Sequence, residues 1–201
     1  MASRKLSINL LSQNSAGAEH IPNVVRKLKM TFEELNKHII PMTEFTLKWR
    51  FTEEEYDLLS EQHLAELKPL DKKGAEFLAD YISNCRVHSQ MPFKNDLFQN
   101  LDRTKILDGN EKEITKWLYQ RAIPFDKEVF LSWDGRNGMI TKWKFVVKYW
   151  DSIFYGGSDD LTVFDQSLEW ALLFFHENEI YFGTNKKYEP KAEYDEDWFS
   201  L

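Results

Sequence analysis

The chain has 201 residues, of which 42% are hydrophobic and 15% aromatic, enough apolar material for one packed domain and too much for a wholly disordered chain. Acidic residues outnumber basic ones by 33 to 26, and the formal net charge of -7 repels a phosphate backbone, so nucleic acid is not an expected partner. A single cysteine, Cys85, excludes an intramolecular disulfide framework and a multi-cysteine metal site within the chain.

The first 41 residues carry six Lys or Arg against three Asp or Glu, a net of +3 that leaves -10 on the remainder. Helical spacing begins only at Ile21, with Val24, Val25, Leu28, Phe32, Leu35 and Ile39 near one face, and Thr31-Phe32-Glu33-Glu34 offers a capping-box start inside it. Pro41 ends the segment. Residues 1–41 are therefore expected to be a mobile arm or a docked helix, 42–188 a single α+β domain, and 189–201 an acidic tail.

Glu44 to Trp49 reads as a short strand. Thr52-Glu53-Glu54-Glu55 then supplies an N-cap hydroxyl and a carboxylate three residues on, and Tyr56, Leu59, His63, Leu64 and Leu67 fall on one helical face before Pro69. A second stripe, Phe77, Leu78, Tyr81, Ile82 and Cys85, predicts a second helix and a helical hairpin with the first. Residues 86–110, rich in Asn and Asp with Pro92 and Gly109, read as a long irregular connection.

Glu111 to Arg121 regains helical spacing through Ile114, Trp117 and Leu118, and Ile123-Pro124 breaks it. Val129 to Trp133 is dense in strand formers, and Asp134-Gly135-Arg136-Asn137-Gly138 is a turn signal. Residues 142–149 fit a strand by alternation and a helix by the face Trp143, Val146, Val147 and Trp150; Thr141 as an N-cap favours the helix. Leu161 to Phe164 reads as a strand after the Gly156-Gly157 loop. Glu169 to Phe175 and Ile180 to Gly183, flanking His176-Glu177-Asn178-Glu179, form an antiparallel hairpin signal. The expected fold is α+β, with helices of the N-terminal half packed on a small, mainly antiparallel C-terminal sheet.

No reaction can be read from motifs. The five histidines form no paired metal-ligand spacing, the eight glycines form no phosphate loop, and no nucleophile elbow is present, so neither a catalytic residue, a metal nor a cofactor is assigned. Residues of a binding surface are easier to nominate. Trp133, Asp134 and Trp170 bracket polar loops, where an aromatic ring supplies area and a carboxylate supplies orientation. Asp159, Asp160, His176, Glu177 and Glu179 fall in two loops next to the predicted sheet and complete the candidate set.

Lys142-Trp143-Lys144-Phe145 with Tyr149-Trp150, then Gly157-Ser158-Asp159-Asp160, Trp170-Ala171-Leu172 and Ile180-Tyr181-Phe182-Gly183, resembles the order found in bacterial immunity proteins. Trp49 to Leu70 is similar to the start of an uncharacterised bacterial domain family. The first resemblance implies a non-catalytic protein that occludes a basic toxin domain with an acidic face; it carries over no contact residues, because such interfaces differ from pair to pair. The alternatives are a hydrolase using scattered carboxylates and His176, and a domain that takes a small ligand through its aromatics. The lone thiol suits a reducing compartment, the broken apolar stretch from Met1 to Ser12 does not suit a signal peptide, and no run approaches the roughly 18 apolar residues of a span. The expected location is cytoplasmic, with no membrane partner.

Overall fold

A computed structural model describes residues 30–53 and 59–186. Its centre is a seven-stranded sheet: β1 (Lys68–Pro69), β2 (Asn100–Lys105), β3 (Glu128–Ser132), β4 (Gly138–Lys142), β5 (Leu161–Phe164), β6 (Trp170–Phe175) and β7 (Glu179–Thr184). The spatial order is β1-β4-β3-β5-β6-β7-β2, and every adjacent pair is antiparallel. Helices cover both faces: α1 (Trp49–Thr52), α2 (Glu61–Leu64), α3 (Lys72–Asn84), α4 (Glu111–Tyr119), α5 (Trp143–Lys148) and α6 (Trp150–Ile153). The α+β class is as expected. Among the described residues, no helix is long and apolar enough to cross a membrane.

Period-two alternation divides the strands between two cores. Val129, Leu131, Met139, Leu161, Val163, Leu172, Phe174, Ile180 and Phe182 face the larger one, with α4, α5 and α6 packed over them. Trp143 of α5 meets Trp170 of β6 edge to face, with centroids 5.6 Å apart, and Trp150 Nε1 of α6 donates to Thr115 Oγ1 of α4 at 3.0 Å. The opposite face presents Phe130, Ile140, Phe164, Ala171 and Leu173 to α3, whose Phe77, Leu78 and Tyr81 form the second core.

Helix α3 starts where Asp71 accepts the Gly74 N–H at 2.9 Å, an N-cap that satisfies one of the donors left open in the first turn. Of residues 1–41, the described part is docked: a 3-10 helix, Phe32–His38, begins at Thr31, whose N–H donates to Glu34 at 3.0 Å. Phe32 lies between Phe77, Tyr81 and Phe130, and Leu35 is fully buried. The predicted helical face at Val24, Val25 and Leu28, residues 54–58 of the helix expected from Thr52, with Tyr56 on its face, and the tail 189–201 lie outside the described residues.

Several expected elements differ. Glu44 to Trp49 is a run of tight turns closed by Phe45 N–H to Met42, Lys48 N–H to Phe45 and Phe51 N–H to Lys48, not a strand. Phe45 within it and Phe51 just after it are both buried from this coil of turns. Thr52 is the last residue of α1, where its hydroxyl donates back to the Lys48 carbonyl at 3.0 Å; residues 54–58, which a cap there would serve, lie outside the described residues, and the cap of α2 is Ser60, which accepts the His63 N–H. Because β1 intervenes between α2 and α3, there is no helical hairpin. Asn100 to Lys105 is a strand rather than irregular chain: as an exposed edge it needs no apolar alternation, and β7 supplies its pairing. Thr141 donates to the Glu66 carbonyl at 3.2 Å, and the N-cap of α5 is Lys142. Nor are the helices gathered ahead of the sheet, since α5 and α6 lie between β4 and β5.

Candidate functional site

A cleft of about 540 Å3 opens between the C-terminal end of α3, the chain that follows it, and the α3-facing side of β3, β5 and β6. The strand register builds its floor. Ser132 pairs with Thr162, which pairs with Leu173, so these three side chains form a row across three neighbouring strands. Toward the open end, two residues after Ser132 and Leu173 and two before Thr162 on the antiparallel strand, Asp134, Phe175 and Asp160 line the same cleft. The opposite wall is Ile82, Val87 and Met91, with His88 between them.

His88 is clamped at both ring nitrogens. Nδ1 lies 2.6 Å from the Pro92 carbonyl, which can only accept, so that nitrogen carries the proton. In the neutral ring Nε2 is then an acceptor, and Thr162 Oγ1 donates to it at 2.8 Å. Burial pushes the imidazole below the ordinary histidine range, against the Pro92 carbonyl and the Asp160 charge, which pull it up. At neutral pH the cleft therefore holds an uncharged His88 beside two carboxylates and one cation, Arg86.

Asp134 and Asp160 are each partly engaged. Asp134 closes the β3–β4 turn by accepting the N–H groups of Arg136 and Asn137, both at 2.7 Å, and faces the Arg136 guanidinium at 3.5 Å. Asp160 accepts the His176 backbone N–H at 3.2 Å and pairs with its Nδ1 at 2.8 Å. His176 itself is half exposed, with its ring 4.1 Å from that of Phe175, and is not among the residues lining the cleft. Glu177 is exposed at the same turn.

The other nominated residues point elsewhere. Trp133 lines the cleft, but its Nε1 donates to the Ile153 carbonyl at 3.2 Å and its ring packs toward Phe45. Asp159 turns inward to a bidentate ion pair with buried Arg50, at 2.5 and 3.1 Å, rather than outward with Asp160. Trp170 is 1% exposed and belongs to the core, so its ring offers no surface. Glu179 is held by the Tyr181 hydroxyl and by Lys105, which keep its carboxyl below the usual carboxylate range.

Sequence reasoning missed His88, Thr162 and Ser132. A signal existed for two of them: each is a polar residue at an inward-facing position of an otherwise apolar strand, where a hydroxyl costs free energy unless it is hydrogen-bonded. His88 sits in irregular chain with no periodicity to mark it. Among the described residues no group of His, Cys, Asp or Glu could hold a metal ion. No protein-family model, curated protein or solved structure matches the chain.

Proposed function

We propose that this is a binding protein whose ligand is a small organic cation, an apolar body bearing an ammonium group, taken up in the cleft between α3 and the sheet. The observation that carries this reading is the pair Asp134 and Asp160 at the mouth of a cleft walled by Ile82, Val87, Met91, Leu173 and Phe175. Its volume falls within the range of about 300–1,000 Å3 usual for small-molecule sites. Two carboxylates against Arg86 favour a positive group, and aromatic walls favour a flat or aliphatic body. Calorimetric titration of the full chain with phenethylammonium tests it, with phenethyl alcohol and phenylacetate as matched neutral and anionic probes. Binding of the cation alone, weakened in Asp160→Asn, is the expected result. Equal binding of the alcohol, or no binding of any of the three, overturns it.

A second reading is an immunity protein that occludes a basic toxin domain. It draws on Asp160 and Glu177, which are exposed at adjoining turns, and less on Asp159 and Glu179, which are held by Arg50 and by Lys105 with Tyr181. Salt-sensitive capture of one basic protein, lost on charge reversal at Asp160 and Glu177, is its expected result. Capture indifferent to those two reversals removes the idea.

A further inference from the structure

We propose that Thr162 and His88 are a nucleophile and its general base, and that the cleft transfers the acyl group of a small ester first to Thr162 and then to water. This rests on the cleft being a ligand site, but not on the charge of the ligand. Thr162 occupies a core-facing position of β5 between strands that present Ser132 and Leu173 at the same level, and it is 4% exposed. Packing alone does not call for a hydroxyl there, since valine has the same shape without the desolvation cost. The hydroxyl is satisfied by a single acceptor, His88 Nε2 at 2.8 Å, while the other ring nitrogen is fixed by the Pro92 carbonyl at 2.6 Å. A hydroxyl on an imidazole, with the imidazole oriented by a third group, is the geometry that activates a hydroxyl nucleophile.

The chemistry balances without a cofactor. As Thr162 Oγ1 bonds to the ester carbonyl carbon, its proton passes to His88 Nε2. The tetrahedral oxyanion has Ser132, across the ladder from Thr162, and Arg86 as donors on residues lining the same cleft. Collapse breaks the carbon–oxygen bond to the alcohol, which leaves with the proton from His88. Water then attacks the Thr162 ester, His88 takes the proton from water, and that proton returns to Oγ1. The net reaction is ester plus water giving acid plus alcohol.

The test uses p-nitrophenyl acetate with the full chain, following nitrophenolate release and mapping the acetyl group by peptide mass spectrometry. A burst approaching one equivalent of nitrophenolate, with acetyl on Thr162, is expected; Thr162→Val abolishes it and Thr162→Ser retains it. The acid limb of the burst rate should lie below the ordinary histidine range and disappear in His88→Gln. Asp160, Asp134 and Arg86 are the charged groups lining the cleft around the ring, so Asp160→Asn should move that limb further down. Acetyl on surface lysines only, or Thr162 acetylation with the same rate and pH dependence in His88→Gln, overturns the proposal. A Thr162 that merely anchors the chain around His88 would change the melting temperature on substitution without any acetyl ever appearing at Oγ1 of the wild type. Phenethylammonium binding without acetylation removes the couple and leaves the binding reading. Acetylation without amine binding does the reverse.

Discussion

Asp159 is the residue whose replacement separates fold from function most sharply. It joins the chain after α6 to α1, accepting both terminal nitrogens of Arg50 and the Tyr155 N–H at 2.9 Å. The Arg50 side chain is 5% exposed and that of Asp159 11%, so solvent screens this pair little. Its guanidinium also lies over the rings of Trp49 and Tyr155, and its Nε has no partner. Asp159→Ala leaves the guanidinium the two rings and a single hydrogen bond, to the Ile153 carbonyl at 3.2 Å, and so a buried cation without a counter-charge. Breaking such a pair from one side costs about 3–5 kcal/mol. For a chain of this size each kcal/mol lowers the melting temperature by about 2–4 °C, so the expected drop is roughly 6–20 °C. Urea unfolding monitored by tryptophan fluorescence, with Arg50→Met and the double variant completing a cycle, measures it. The double variant should recover much of the loss, because the penalty of the single change is the stranded charge. A cost below about 1 kcal/mol for Asp159→Ala would put the pair in the class of exposed ion pairs and refute this account of the α1 contact.

Three further outcomes can be checked. Because His88 is held below the ordinary histidine value, the unfolded chain binds its proton first as pH falls; stability is therefore full above about pH 6.5 and declines from there down to the lower folded value. The slope is at most about 1.4 kcal/mol per pH unit from this group, and His88→Gln should flatten that part of a urea-midpoint profile. At Gly183 an added Cβ would meet Phe98 Cγ at 2.7 Å, so Gly183→Ala should lose about 1–3 kcal/mol by thermal unfolding, and much less in a Phe98→Ala background. Trp170→Ala, which empties the edge-to-face contact with Trp143, should cost about 3–5 kcal/mol; a change under about 1 kcal/mol would show that the ring is not a core element.

Elements that carry their own local code were legible from the residues. Helix α3 has an apolar stripe from Phe77 to Cys85, and the β6–β7 hairpin has two apolar runs around a polar turn. What escaped is defined by partners distant in the chain. Strand β2 is exposed along most of its length and exists because β7 offers hydrogen bonds, while β1 is two residues recruited by β4. The site divides the same way. Asp134 and Asp160 were nominated from loop composition and do line the cleft, yet their neighbours Asp159 and Trp170 look equally suitable in sequence and turn inward. A carboxylate's direction depends on which side of the sheet its position falls and on whether a buried arginine waits there. Neither is encoded within a few residues.

The placement of the two edge strands bears on the order in which the sheet can be assembled. Asn100 pairs with Thr184 and Lys68 with Ile140, so both margins of the sheet are sealed by segments synthesised long before their partners. During translation the β2 segment must wait, with its backbone donors and acceptors solvated, until the β6–β7 hairpin has left the ribosome. Five of its six side chains are polar or charged, Leu101 being the exception, which suits that interval, since a mostly polar strand offers nascent neighbours little to aggregate on. Pairing across such sequence distances also means that long loops must close before the edge strands gain their hydrogen bonds, an entropic cost of the kind that slows folding.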